Sequence, residues 1–277
     1  MKMDLKSLYL NLLKQVLTDF YRVKCSEYFP INDLEYSWRT KVLKRINKFL
    51  NKRKYFICSK VDFDIQSRLE GRDWPTNAET MIGLLRLDNI EYCINDILKE
   101  KIPGDLIETG VWRGGATIFM KAVLKVNGDN IRKVWVADSF EGLPKPNENE
   151  YPEDKGDVHY TKKELIISLD TVKENFRKYD MLDENVVFLK GWFKDTLPVA
   201  PIEKLALIRL DGDMYESTID GLTHLYPKLT NGGYIIIDDW NAVKGCKQAV
   251  LDFRKTNNIT EEIITIDWAS VYWKKRS

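Results

Sequence analysis

The stretch LALIRLDGD, residues 205–213, is an apolar run that ends in an Asp-Gly-Asp sequence. A second apolar run, YIIIDD at residues 234–239, ends in paired aspartates. Each run has the length and continuous apolar character of a buried strand. Ligands of open α/β sheets lie beyond the carboxyl ends of the strands, so we expect the aspartates at one such edge. Carboxylates from two strand ends can share one small, hard cation there.

Strands and helices alternate around these two runs, which is typical of a parallel α/β sheet. The predicted strands are 105–108, 133–137, 186–189, 205–210 and a fifth that starts at Tyr234. The predicted helices between them are 115–126, 161–179, 215–229 and 247–256.

The chain ends in two further predicted strands, residues 262–267 and 270–274. The link between them is too short for a parallel crossover, which needs about a dozen residues or more. The last strand must therefore run antiparallel. A mostly parallel sheet with an antiparallel last strand is the Rossmann-like sheet of the class I methyltransferase fold, and an ordinary dinucleotide dehydrogenase would not end this way.

Before the sheet, residues 1–57 carry apolar residues at helical spacing in two stripes. A further helix is predicted from about residue 78 to 100. We therefore predict an N-terminal helical segment, 1–75, and a domain of the class I methyltransferase fold, 76–277. The second N-terminal helix carries a run of lysines and arginines within 41–54. That run is either a solvated face or a contact for an acidic partner.

Composition excludes several classes of protein. The 277 residues are 44% hydrophobic and have a net charge of +1, which gives no support to a nucleic-acid or membrane partner. The cysteines Cys25, Cys58, Cys93 and Cys246 form no CxxC pair, so a zinc ribbon or redox dithiol is not expected. No apolar stretch approaches the roughly 20 residues of a membrane span. The start of the chain lacks the apolar region of a signal peptide. We expect a cytoplasmic protein.

Residues 142–160 interrupt the alternation with three prolines, two glycines and many charged residues. A long irregular loop inside a compact domain is typically a functional lid or a mobile segment. Because it follows the second strand, this loop is expected near the ligand edge. It is either a lid over the substrate or a surface loop.

The segment ETGVWRGGA, residues 108–116, joins the first strand to the first helix. Gly110 allows a tight turn, and Gly114 lets a ligand or a packing partner approach the helix start. The pattern differs from the GxGxxG sequence that brings a pyrophosphate to a helix N-terminus. Glu108 suits a cationic or hydroxyl-bearing ligand, and Asp138 after the second strand is placed to bond ribose hydroxyls. These residues fit S-adenosylmethionine, which has an amino-acid tail and a ribose but no phosphate.

After the third strand, Gly191 and Trp192 could lie against an adenine ring. A core aromatic cluster there is an equally good interpretation. Arg209, inside the strand that leads to Asp211, is expected to pair with an acidic neighbour. His159 lies in the irregular loop and could approach a substrate.

Four motifs in order resemble the macrocin O-methyltransferase family, which methylates sugar hydroxyls of macrolide and aminocoumarin antibiotics. They are ETGVWRGGA at 108–116, VADSFEGLP at 136–144, RLDGDMYES at 209–217 and IDDW at 237–240. The resemblance runs from about Trp74 to Lys274, and more weakly across the N-terminal helices.

The resemblance implies an S-adenosylmethionine-dependent enzyme of the class I methyltransferase fold that uses Mg²⁺ or another divalent cation, commonly as a homodimer. It implies metal ligands at Asp211, Asp238 and Asp239 and a general base at Asp213. Together with the strand-end reasoning, it predicts cofactor contacts from Glu108, Thr109, Gly110, Gly114, Asp138, Ser139, Gly191, Trp192 and Asp211.

This set of residues predicts an O-methyltransferase that acts on a sugar hydroxyl of a glycosylated natural product or saccharide. A sugar hydroxyl holds its proton far above neutral pH, and a bound dication can lower the pKa of such an oxygen. Two other functions remain open: methylation of an aromatic diol by a catechol-type enzyme, and a silent protein that binds S-adenosylmethionine without catalysis. Individual aspartates could also be helix caps rather than ligands.

Overall fold

The computed structural model describes residues 4–22, 27–31, 38–62 and 64–276. Within them the chain forms nine α-helices and nine strands. The helices are α1 (Leu5–Leu17), α2 (Trp38–Asn51), α3 (Ile65–Glu70), α4 (Leu84–Lys99), α5 (Gly115–Val126), α6 (Leu169–Lys178), α7 (Phe193–Thr196), α8 (Tyr215–Leu225) and α9 (Lys244–Thr256). The strands are β1 (Glu27–Pro30), β2 (Cys58–Val61), β3 (Asp105–Thr109), β4 (Val134–Asp138), β5 (Val186–Lys190), β6 (Leu205–Leu210), β7 (Leu229–Ile237), β8 (Ile264–Thr265) and β9 (Val271–Lys274).

The main sheet has seven strands in the order β5-β4-β3-β6-β7-β9-β8. Strands β3 to β7 are parallel to one another, whereas β9 pairs antiparallel with both β7 and β8. This is the mostly parallel sheet with an antiparallel end that the sequence predicted, so the expected α/β fold is confirmed. The order reverses between β3 and β6, where an open α/β sheet has its ligand crevice.

Helices cover both faces of the sheet, which is why the central strands are apolar without alternation. On one face, α1, α4, α5 and α6 bury residues such as Leu13, Ile94, Phe119 and Phe176. On the other face, α8 and α9 pack residues such as Leu222, Val250 and Phe253 against the strands. Every residue of β6 is buried. Burying apolar side chains contributes roughly 25 cal/mol per Å² removed from water, so this two-sided core is the main stabilising term.

Several predicted boundaries differ from the structure. The helix predicted from about residue 78 begins at Leu84, with Gly83 as its N-cap. The helix predicted over 161–179 begins at Leu169, where the Ser168 hydroxyl caps it; the residues before it form short 3₁₀ turns. Strand β8 keeps only two residues of the predicted 262–267.

The N-terminal segment is not entirely helical, because β1 and β2 form a small antiparallel sheet within it. Helix α1 buries Leu10, Leu13 and Leu17 in the same apolar cluster as α4 and α5. The predicted boundary between 1–75 and 76–277 stays a prediction. Cys25 lies outside the described residues. Among the described helices, none combines the length and the apolar character that crossing a membrane requires.

Candidate active site

The carboxyl ends of the central strands meet at one edge of the sheet. Thr109 of β3 is in register with Leu210 of β6, which is in register with Ile237 of β7. The ladder continues one residue further, since the Asp211 amide donates to the Thr109 carbonyl and the Asp238 amide donates to the Leu210 carbonyl, both at 2.9 Å. The residues that follow these strands are therefore held at fixed positions beside one another.

This register brings three predicted metal ligands together. Asp211, Asp238 and Asp239 each offer one carboxylate oxygen, and these atoms lie within 4.8 Å of one another. Asp213 adjoins them, because its amide donates to Asp239 Oδ2 at 3.1 Å. Its backbone has φ +59°, a left-handed conformation that Asp and Asn adopt more readily than most residues.

Two buried guanidinium groups hold this acidic cluster in place. Arg209 donates to Asp211 Oδ2 at 2.7 Å and also to Glu108 and Asp238. Arg86, at the start of α4, binds the other Asp238 oxygen and reaches Asp267 at 2.7 Å. The predicted pairing of Arg209 with an acidic neighbour is confirmed. Arg86 was not predicted, since its partner Asp238 is 152 residues away in the sequence.

The carboxyl groups of the cluster differ in their proton affinity. Burial and the nearby Asp238 raise the pKa of Asp211 to about 6, and burial and Asp211 raise that of Asp213 to about 7. Burial and Asp213 raise the pKa of Asp239 well above its ordinary value. For Asp238, burial also raises the pKa, but Arg209 and Arg86 outweigh burial and lower it.

The cluster has the character of a cation site, because its carboxylates outnumber the buried cations that face them. In the described part of the chain, the two guanidiniums of Arg86 and Arg209 face six carboxyl groups, those of Glu108, Asp211, Asp213, Asp238, Asp239 and Asp267. Burial is the main cause of the raised pKa values of Asp211, Asp213 and Asp239, and the neighbouring carboxylates add to it. Oxygen ligands without histidine or cysteine suit Mg²⁺ or a similar hard dication better than zinc. The residues present therefore fit a divalent cation.

The glycine-rich segment, residues 108–116, approaches the backbone of the acidic cluster closely at Gly110. Gly110 has φ +79°, and a Cβ atom there would lie 1.8 Å from the Asp211 carbonyl oxygen. Only glycine allows these two backbones to approach so closely. Gly114, by contrast, faces a packing partner: its missing Cβ makes room for Val172 and Phe176 of α6.

Asp138 is the residue that fixes the shape of this segment. Its carboxylate accepts from the Val111 amide at 2.8 Å and from the Phe140 amide at 2.7 Å. Burial raises the pKa of Asp138, while these backbone hydrogen bonds oppose that rise. Ser139 donates to the Gly142 carbonyl at 2.7 Å and so anchors the start of the next loop.

A cleft of about 880 Å³, including its opening to solvent, lies above the strand ends. Most of the predicted cofactor residues line it, and so does the predicted base: Gly110, Asp138, Ser139, Gly191, Trp192, Asp211 and Asp213. The cleft therefore brings the glycine-rich segment, the second strand end and the acidic cluster to one space. Glu216, Ser217 and Asp220 of α8 also line it and were not predicted.

Glu108, Thr109 and Gly114 are not among the cleft-lining residues. Glu108 is buried, with Thr117 donating to it at 2.7 Å and Arg209 paired to it. Burial raises its pKa to about 7 despite the Arg209 charge. Direct cofactor contacts from these three residues stay a prediction, and the structure shows Glu108 holding Arg209 in place.

Helix capping does not account for the first pair of aspartates. The residue before α8 is Met214, whose side chain does not cap the helix. The first two amides of α8 donate to the Asp154 carboxylate instead. Asp154 lies in the irregular loop and was not predicted as a functional residue. No sequence signal pointed to it, because Asp211 and Asp213 directly precede the helix and were the local candidates for its cap.

Comparison with known proteins shows what the chain is similar to. A family model described as macrocin O-methyltransferase (TylF) matches residues 6–275. Demethyldecarbamoylnovobiocin O-methyltransferase of Streptomyces niveus is 54% identical over 209 residues, which cover 75% of this chain and 80% of that protein. The 8-demethyl-8-(2,3-dimethoxy-alpha-L-rhamnosyl)-tetracenomycin-C 4'-O-methyltransferase of Streptomyces olivaceus is 45% identical over 273 residues, covering 98% of this chain and 94% of that protein.

Among solved structures, the O-methyltransferase NovP superposes with a TM-score of 0.83 at 44% sequence identity. The match covers 98% of this chain and 100% of that one. The N-terminal segment is therefore included in the similarity.

Proposed function

Because this chain belongs to the macrocin O-methyltransferase family and is an S-adenosylmethionine-dependent O-methyltransferase, we propose that its acceptor is a sugar hydroxyl of a glycosylated natural product or saccharide. The name of the Streptomyces olivaceus relative describes O-methylation of a tetracenomycin that carries a rhamnosyl group. We further propose that the reaction needs a divalent cation, Mg²⁺ in the first instance.

One observation carries the metal proposal: Asp211 belongs both to the group of three carboxylates and to the cleft that Gly110 and Asp138 line. Asp211, Asp238 and Asp239 would hold the cation, which when bound lowers the pKa of a coordinated hydroxyl. Arg209 binds both Asp211 and Asp238, and Arg86 binds the other Asp238 oxygen, so the two arginines keep these two carboxylates together.

Asp213 is the residue best placed to accept the proton of the acceptor hydroxyl. It lines the cleft, and its amide is tied to Asp239, so its carboxyl is held next to the proposed cation site. A positioned base contributes about 10²- to 10⁴-fold to a proton transfer. The rest of the site orients the reactants, because Gly110 and Asp138 shape the wall of the cleft where the cofactor would lie.

The test is transfer of label from methyl-labelled S-adenosylmethionine to a panel of glycosides, with an aromatic diol as the comparison acceptor. We expect label on a glycoside, loss of transfer when EDTA is added, and recovery with MgCl₂. Transfer to the diol alone would refute the sugar assignment. A rate unaffected by EDTA would refute the metal requirement. Gel filtration with light scattering would show whether the protein is the predicted homodimer. The homodimer and the cytoplasmic location both stay predictions.

A further inference from the structure

Residues 142–160, called the bridging loop below, connect the cofactor cleft to the start of α8. Its first residues, Gly142, Leu143 and Pro144, line the cleft. Its middle forms a 3₁₀ turn at Pro152–Asp154 that packs against α8 and α9. The loop therefore runs from the edge of the cleft to a contact with α8 and α9.

The contact at α8 is made by a buried carboxylate. Asp154 is 3% exposed, and its Oδ1 accepts from the Tyr215 amide at 2.6 Å while its Oδ2 accepts from the Glu216 amide at 3.1 Å. These are the first two amides of the helix, which have no acceptor within the helix itself. A side chain 61 residues upstream thus supplies the cap that Met214 cannot.

The surroundings of Asp154 are shaped to receive it. A Cβ atom on Gly245 of α9 would lie 2.6 Å from Asp154 Oδ1, so glycine at this position leaves room for the carboxylate. Tyr151 of the loop packs against Tyr215, with ring centroids 5.7 Å apart. Tyr215 in turn donates from its hydroxyl to Asp252 of α9 at 3.3 Å. Three elements meet at this one carboxylate.

The cap also fixes the residues that follow it in the loop. The Asp157 amide donates to the Asp154 carbonyl at 3.1 Å. The Asp157 carboxylate binds His159 twice, through the His159 amide at 2.8 Å and ring Nδ1 at 2.7 Å. Because ring Nδ1 contacts the Asp157 carboxylate, Nε2 lies on the side of the ring away from Asp157. Because Asp157 is bonded to Asp154, and Asp154 is bonded to the amide two residues after Asp213, the pair is held near the segment that carries Asp213.

We propose that Asp154 is a positioning residue, which latches the bridging loop to α8 and thereby holds the Asp157–His159 pair beside Asp213 as a wall of the acceptor site. The assignment of an acceptor site rests on the proposed function, whereas the latch itself does not. Asp213 stands two residues before Tyr215, so the same cap sets the position of the loop and of the helix that follows the base.

The latch is tested by hydrogen–deuterium exchange on Asp154→Ala and Asp154→Asn, with Glu153→Gln as the matched control. Glu153 is an exposed carboxylate next to Asp154 in the same loop, so its loss changes the charge without removing the cap. We expect amide exchange in 142–160 and at the start of α8 to become at least tenfold faster in Asp154→Ala. Asp154→Asn keeps one acceptor oxygen, so its exchange rates should lie between those of the wild type and those of Asp154→Ala. The exchange rates of Glu153→Gln should match those of the wild type. Unchanged exchange in Asp154→Ala would overturn the latch.

The role of His159 is tested by steady-state kinetics with a glycoside acceptor. We expect Asp154→Ala and His159→Gln each to raise the acceptor KM at least tenfold and to lower kcat by a smaller factor. Asp154→Asn should change both parameters less than Asp154→Ala does. The affinity for S-adenosylhomocysteine should stay within threefold, since Ser139 still anchors Gly142.

If Asp154 acts by placing His159, the double variant should be no worse than Asp154→Ala alone. Wild-type kinetics in His159→Gln, or additive losses in the double variant, would overturn that part of the proposal. Should no glycoside be methylated by the wild type, the proposed function fails, and the exchange measurements still decide the latch.

Discussion

Binding of Mg²⁺ is expected to weaken steeply as the pH falls from about 8 to about 6. Carboxylate ligands must be deprotonated to bind a metal, so a cation has to displace any proton they hold. In the metal-free protein, burial and neighbouring carboxylates raise the pKa of Asp211 to about 6 and that of Asp239 well above its ordinary value. A carboxyl with a raised pKa carries its proton below that pKa, and binding is therefore weaker on the acid side.

The magnitude follows from the number of protons displaced. One displaced proton changes the dissociation constant about tenfold per pH unit, or about 1.4 kcal/mol. One proton displaced throughout two pH units sets the upper limit of the effect for one ligand, about 100-fold. Asp239 is the ligand expected to contribute most, because burial and Asp213 raise its pKa. Partial protonation of Asp211 near pH 6 adds a further factor of about two. Asp238 adds nothing, because Arg209 and Arg86 lower its pKa.

Isothermal titration with MgCl₂ at three pH values measures this directly. Repeating each titration in two buffers of different ionisation enthalpy counts the protons released. Asp239→Asn is the control, since it keeps the side-chain shape but holds no titrating proton. This variant should bind Mg²⁺ more weakly than the wild type, and its dissociation constant should depend less on pH. Equal dissociation constants at pH 6 and pH 8, or binding without proton release, would refute the reasoning from the acidic cluster.

Three further changes test the rest of the site. Asp213→Asn should lower kcat by about 10²- to 10⁴-fold and leave cofactor affinity nearly unchanged, because Asn tolerates the positive φ and keeps the backbone amide bond to Asp239. Steady-state kinetics measure kcat, and calorimetry with S-adenosylhomocysteine measures the affinity. An unchanged kcat would exclude Asp213 as the base. Gly110→Ala should prevent folding or abolish cofactor binding, since its Cβ would meet the Asp211 carbonyl at 1.8 Å; wild-type binding by the purified variant contradicts this. Asp138→Ala should lower the unfolding free energy by about 1–3 kcal/mol, because it leaves the Val111 and Phe140 amides without their acceptor; a denaturant titration showing no loss would count against it.

The sequence predicted the sheet and the placement of the aspartates because both depend on local signals. Continuous apolar runs identify central strands that are buried on both faces, and the residue after each run must lie at the carboxyl edge. Asp211 and Asp238 could be placed in this way without knowing what packs around them. The short link before β9 likewise determined its antiparallel direction.

The parts that the sequence missed depend on contacts between distant segments. Arg86 binds Asp238 from a helix 152 residues earlier, and Asp154 caps α8 from 61 residues earlier. Neither pairing leaves a periodic pattern or a characteristic spacing. The N-terminal β1–β2 pair was missed for a related reason, because short strands without strong alternation are hard to distinguish from helical segments.

The charge balance of the strand ends also bears on whether this protein could bind S-adenosylmethionine without catalysis. A buried carboxylate without a partner is costly, and here burial with like-charge neighbours raises the pKa of Asp211, Asp213 and Asp239 together. We predict that S-adenosylmethionine, which has a ribose and no phosphate, contacts Asp138, Asp211 and the glycine-rich segment. Such contacts do not need Asp213 and Asp239 to lie beside Asp211. A dication bound among the acids would offset their cost and would also lower the pKa of an acceptor hydroxyl, a role that cofactor binding alone does not call for.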